Sequence, residues 1–407
     1  MRQLASLDEI AHLFKTGSSI VLHSGCAEPR RLAAELAQMA GQLRNITLTT
    51  MMPMGDVPYA NGQLTLVTFF PGKGLRKAVN SGQARLVRTP LSGIPGYFTR
   101  GEMRADFLFL QVSEPDEAGQ VSLGLSIDYM RAVLELKPIV VAEINPAMPF
   151  TMGDTRLPLD RIDFGMASHG PPQALDPAPG DETDRRIADH VAGLIANGDI
   201  LQAGIGALPD LVLGRLAGLS RLGIHSGIVT DAVRPLIEKG IVSGPSVTTM
   251  AGGTQDFYKF LHKNAAVQFM PCSVTHDFKT LAAIDRLCAI NGILQIDLAA
   301  NANAEVAGGR IVSSPGGLPD FAKGASASKG GKCILALRSC SKDGTDSNIL
   351  PGFDPTIPVT LMADAIDYVV TEHGVARIRG LPASGQAKAL ASIAHPDFRA
   401  DLLRKLP

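Results

Sequence analysis

The residues whose types and spacing could do chemistry gather in positions 200–242, read ILQAGIGALPDLVLGRLAGLSRLGIHSGIVTDAVRPLIEKGIV. This stretch scans as a strand (200–203), a glycine loop (204–206), a helix (209–216), a second strand (222–225), a sharp turn at Ser226-Gly227 and a further helix (231–239). Gly204 and Gly206 let backbone amides approach a ligand closely and point at a carbonyl or phosphate oxygen. Open α/β sheets bind ligands outside the carboxyl ends of their strands. Two such ends side by side, one lined with amides, suit acyl transfer. The same glycine pattern also serves as an ordinary strand-to-helix loop, because short glycine motifs recur by accident.

The elements that must position these residues follow from length and rhythm. A chain of 407 residues exceeds one typical core, so two domains are expected. Hydrophobic content of 45% with 19% charged residues is ordinary globular composition. Lys+Arg 38 against Asp+Glu 39 gives a net charge of −1, which points away from nucleic acid and from charged membrane surfaces. The five cysteines, Cys26, Cys272, Cys288, Cys333 and Cys340, are scattered without a CxxC, so neither a metal site nor a disulfide framework is expected. Reduced thiols fit a cytoplasmic location. The first residues carry acidic side chains and lack a long apolar core, unlike a secretory signal, and no window reaches about 18 apolar residues.

Strand–helix alternation runs through the first part of the chain and closes on LKPIVVAEINPAMP, whose nearly unbroken apolar run marks a sheet buried on both faces. The proline-rich SHGPPQALDPAPGDETD then interrupts the rhythm. The expectation is an α/β protein of two open domains, 1–167 and 185–407, joined by a linker at 168–184, with the ligand cleft between them. No repeat at a 20–50-residue period is present.

Eight segments in order carry a resemblance: VSEPDEAGQVSLGLSIDY, INPAMPFTMGD, LQAGIGALPD, IHSGIVTDAV, AGGTQDFYKFL, GGLPDFAKGASASKGGKCILAL, VTEHGVARIRG and AHPDFR. Together they resemble the acetyl-CoA hydrolase/transferase family, which includes 4-hydroxybutyrate CoA-transferases and has the class I CoA-transferase fold. The resemblance implies coenzyme A as substrate or product, no permanently bound cofactor, a small carboxylate as possible acceptor, and a homodimer or higher oligomer. It also implies a mechanism in which a glutamate attacks the thioester and carries CoA covalently, splitting one hard step into easier ones. Glycine-loop amides stabilise the oxyanion, each donor contributing ~3 kcal/mol in comparable sites.

Two departures fall at the implied reaction centre. The nucleophilic glutamate of the family stands where this chain has Gly227, and a Thr-Asn that helps position the thioester is Thr275-His276 here. By this reading His276 is a candidate general base for water, its ordinary pKa of ~6.5 lying near working pH. Gly227 would leave room for that water. A histidine that merely bonds a backbone carbonyl is the other reading. His225, present in the family too, suits support of the turn, and His373 replaces the tyrosine of TEYG. The resemblance assigns Gly316 and Gly317 to the acyl group and pantetheine, with a tight turn as the alternative. Lys73, Arg76 and Lys77 could hold CoA phosphates or form a solvated basic helix. Cys26 could replace glutamate as nucleophile, though only Arg30 and Arg31 nearby would lower its pKa. Glu114, Asp116 and Glu117 read as solvated loop acids.

These readings favour hydrolysis of a small acyl-CoA over transfer of CoA to acetate or 4-hydroxybutyrate. Other acyl-CoA chemistry on the same fold, or a CoA-ester-binding subunit without catalysis, are the remaining alternatives.

Overall fold

The computed structural model describes residues 1–168, 170–176 and 179–405. Positions 169, 177 and 178, inside the expected linker, lie outside the described residues. The chain forms two compact units. The first takes Met1–Asp176, Val247–Val274 and Ile311–Gly316. The second takes the intervening stretches, among them Thr275–Arg310, and the chain from Gly317 on.

In the first unit the apolar runs become an eight-stranded sheet ordered Arg2–Gln3, Phe164–Ala167, Ile139–Ile144, Phe107–Val112, Ser19–Leu22, Thr47–Thr50, Thr65–Thr68 and Ala84–Leu86. Every neighbouring pair is parallel. Phe107–Val112 is buried at each of its residues, as a strand covered on both faces must be. The helix Arg30–Met39 lays Leu32, Ala33 and Leu36 against Ile20, Leu22 and Leu48 in one cluster.

The second unit holds strands in the order Gly374–Arg377, Tyr368–Thr371, Lys332–Ala336, Leu287–Gly292, Ile200–Ala203 and Gly223–Val229. All pair in parallel except the closing hairpin of Tyr368–Thr371 with Gly374–Arg377. The helix Leu318–Ala327 packs Phe321 and Ala325 onto Leu281, Leu287 and Ala289. Both units thus have the expected α/β character.

Local boundaries differ from the expected ones around the glycines. The strand expected to end at His225 runs on through Ser226 and Gly227 to Val229, so no sharp turn exists there. Extended backbone costs glycine only entropy, and neighbouring β-branched residues Ile224, Ile228 and Val229 carry the strand past it. The helix after the glycine loop is Ala207–Gly214, earlier than expected, and the last one is short, Arg234–Glu238, behind a 3-10 turn at Asp231–Val233.

Candidate active site

Gly223–Val229 pairs with Ile200–Ala203 through Ile200↔Gly223 and Leu201↔Ile224. Gly227 therefore lies beyond that paired segment, toward the carboxyl ends of the two strands. Alternation along the strand puts His225 and Gly227 on one face and Ser226 and Ile228 on the other. The Ser226 hydroxyl donates to the Ala203 carbonyl at 3.0 Å.

On the face of Gly227 stands His276. Its side chain is 1% exposed. Nδ1 lies 2.8 Å from Thr275 Oγ1, and among the described residues Nε2 has no hydrogen-bond partner. A Cβ built on Gly227 would lie 2.9 Å from His276 Nε2, and one built on Gly317 would lie 2.6 Å from the same atom. The Phe321 ring closes the third side, edge to face, with ring centroids 4.8 Å apart. The imidazole is thus held between two glycines and an aromatic ring. This corrects one expectation: the space above Gly227 is filled by His276, not left open for water.

Burial pushes the His276 pKa down to about 3, and neighbouring His225 acts in the same direction. The ring is therefore neutral at working pH. His225 Nε2 lies 3.0 Å from the Thr275 carbonyl. A carbonyl only accepts, so His225 donates and ties its strand to the residue preceding His276. Burial lowers the His225 pKa as well.

The glycine positions divide in role. The Gly204 N–H donates to the Ile290 carbonyl at 3.2 Å, so its amide is engaged in the sheet. A Cβ on Gly204 would lie 3.7 Å from Asn291 Oδ1, an ordinary contact. Gly206, with φ of 121°, precedes the first turn of Ala207–Gly214, whose leading amides lack intrahelical acceptors. Gly316 belongs to the first unit, where its carbonyl accepts from Leu91 N–H at 2.9 Å. Gly317 belongs to the second unit and caps Leu318–Ala327 without any side-chain cap bond.

Lys73, Arg76 and Lys77 lie in the first unit. The flanking glycines there answer to packing: a Cβ on Gly72 would meet the Pro53 carbonyl at 2.4 Å, and one on Gly74 the Val57 side chain at 2.8 Å. Lys73 and Lys77 are exposed, while Arg76 Nε is buried with no partner among the described residues. Cys26 is buried, and burial pushes its thiol up to about 11, which removes the thiolate a nucleophile needs. Glu114 and Glu117 are exposed, and Asp116 Oδ1 accepts from the Ala118 and Gln120 amides in its own loop. His373 stands 3.6 Å from Glu372 and packs on His395. Among the described residues no group of three or more side chains could hold a metal, and no helix is long and apolar enough to cross a membrane.

Two features escaped sequence reasoning. Phe321 enters the sequence reading only inside the segment GGLPDFAKGASASKGGKCILAL, yet it braces His276 and lies 6.3 Å from His225 between ring centroids. Gln202 and Asn291 exchange amide hydrogen bonds of 3.2 and 2.9 Å between adjacent strands. A lone amide ending each of two apolar strands, ILQA and CAIN, was the available signal.

Residues 1–173 match the acetyl-CoA hydrolase/transferase N-terminal domain, and residues 253–406 match the acetyl-CoA hydrolase/transferase C-terminal domain. The chain is 32% identical to the 4-hydroxybutyrate coenzyme A transferase of Clostridium kluyveri, over 99% of this chain and 97% of that one. The crystal structure of 4-hydroxybutyrate CoA-transferase from Porphyromonas gingivalis superimposes with a TM-score of 0.85 at 32% identity, covering 99% of this chain and 97% of that one. RipA from Yersinia pestis superimposes with a TM-score of 0.92 at 28% identity, covering 99% and 96%. With both domain patterns present in order and a relative matched along nearly the whole length, the chain belongs to the acetyl-CoA hydrolase/transferase family of acyl-CoA-processing enzymes.

Proposed function

We propose that this enzyme hydrolyses a small acyl-CoA thioester directly, without a glutamyl-CoA intermediate. The observation that carries the reading is at Gly227: it has no carboxylate, and its Cβ direction runs into the His276 imidazole at 2.9 Å. With glycine at that position the strand end carries no carboxylate to take up CoA covalently, and attack by water is the route that needs none. In that reaction the water oxygen bonds to the acyl carbon and the C–S bond breaks. CoA leaves as thiolate and takes up a proton, giving the free acid and the thiol.

In the same reading Gly206 and Gly317 supply backbone approach to the thioester, and Gly204 and Gly316 keep that approach clear of side chains. Lys73, Arg76 and Lys77 meet CoA phosphates, as Lys and Arg near such oxygens do. Coenzyme A enters only as substrate or product, the enzyme works as a homodimer or higher oligomer, and the chain divides functionally at the 168–184 segment. The free cysteines, four of them buried, suit a reducing compartment such as the cytoplasm.

The test is to incubate the protein with acetyl-, butyryl- and 4-hydroxybutyryl-CoA, with and without acetate, and to follow free thiol. Thiol release at equal rates without acetate is the expected result. Exchange that requires acetate would replace hydrolysis by transfer. Tight CoA-ester binding with neither outcome would leave a binding subunit.

A further inference from the structure

We infer that His276 acts as a neutral hydrogen-bond donor to the thioester oxygen, through Nε2–H and beside the amino end of the helix Leu318–Ala327, and not as a general base. The inference rests on acyl-CoA turnover at this site and assigns the role of one residue in it.

Three independent observations converge. Nε2 is buried and has no partner among the described residues, although buried polar atoms are almost always paired. A ligand atom is the natural partner for such a group. Next, Nε2 comes within 2.6 Å of where a Gly317 Cβ would stand, and Gly317 is the uncapped start of a ten-residue helix. The imidazole edge and the positive end of a helix therefore face one spot, where an oxygen gaining negative charge is stabilised.

The third observation concerns the proton. A general base must become an imidazolium as it works. Around this ring stand His225 from its strand, Thr275 from the preceding turn and Phe321 from the helix, and none is an anion. Asp277, the adjacent residue, turns its carboxylate to the Thr280 amide and hydroxyl at 2.8 and 3.1 Å. The helix start also repels a cation. If the Thr275 hydroxyl donates to Nδ1, the single ring proton sits on Nε2, where a carbonyl oxygen can use it. When water attacks, the carbonyl oxygen becomes an oxyanion held by Nε2–H, and His276 neither gains nor loses a proton.

Glutamine places a side-chain amide near the position of Nε2 but cannot serve as a base at neutral pH. His276→Gln is expected to keep kcat/KM within about tenfold, whereas His276→Ala loses roughly 10²-fold or more, the typical effect of removing one oxyanion donor. Equal losses in Gln and Ala would overturn the inference. On the unmodified protein labelled with ¹⁵N-histidine, the His276 shifts at pH 7 are expected to show a neutral ring protonated at Nε2. An Nδ1–H tautomer or an imidazolium would refute it even if both variants misfold. The variant ratio is read on whichever CoA turnover the enzyme shows, so failure of hydrolysis and failure of this role remain separate outcomes.

Discussion

At position 227 one hydrogen atom decides which side chains the site can hold. A Cβ there would stand 2.9 Å from His276 Nε2 and 3.5 Å from Phe321 Cε2, with no flexible chain end to give way. Overpacking of this kind costs typically 1–3 kcal/mol. Gly227→Glu by itself is therefore expected to lower the melting temperature and to leave acetate-dependent exchange undetectable. Replacing the imidazole in the same molecule, as Gly227→Glu with His276→Asn, opens the space and should recover most of the lost stability. Differential scanning calorimetry together with an exchange assay checks both halves. A single Gly227→Glu variant that melts like the parent and exchanges CoA would show that His276 does not block the position.

The elements that carry the site are tied at their ends. Gln202 and Asn291 close Ile200–Ala203 against Leu287–Gly292, and both are buried, at 4% and 7% exposure. Removing one amide leaves the other partly unsatisfied, whereas removing both leaves neither. Gln202→Leu or Asn291→Leu singly should cost ~1–3 kcal/mol, and the double variant less than the sum. A denaturant double-mutant cycle showing additive losses would mean the pair is not coupled. The same elements explain what was legible in advance. The apolar run IVVAEI announced a buried parallel strand because two-sided burial leaves no polar alternation. Gly227 and His276 were legible as a pair of departures from a family pattern. Their contact was not, because they stand 49 positions apart and only tertiary packing brings them together. Gly227 carries a local preference for a turn, but pairing and the neighbouring branched residues override it, and the strand Gly223–Val229 runs through. The split of Gly316 from Gly317 was invisible for the same reason: adjacent residues of identical type serve different units.

Taken across the whole molecule, buried titratable groups set how stability responds to pH, and they pull in opposite directions. Burial raises Glu28 from 4.5 to about 8, despite a hydrogen bond of 3.0 Å from Tyr59, and raises Asp128 from 3.8 to about 6. Burial lowers His23 to about 4 and His276 to about 3 from 6.5. For the two acids the folded state binds protons more tightly than the unfolded chain, so stability falls as pH rises, between 3.8 and about 6 for Asp128 and between 4.5 and about 8 for Glu28. For the two histidines the neutral form is the one accommodated, so their contribution is full above 6.5 and is lost as pH falls through to about 4 and about 3. Between pH 6.5 and 8 the histidines, half-protonated in the unfolded chain at 6.5, lose their remaining protons and add stability, while Glu28 removes it. Comparison with a variant that cannot ionise at position 28 cancels the histidine contribution and isolates Glu28. In Glu28→Gln, which keeps an acceptor for Tyr59 but cannot ionise, stability should change more favourably from pH 6.5 to 8 than in the parent, by on the order of 1–2 kcal/mol. Parallel melting curves of parent and variant at pH 6.5 and 8 measure it directly, and identical slopes would mean that Glu28 is ionised in the folded protein.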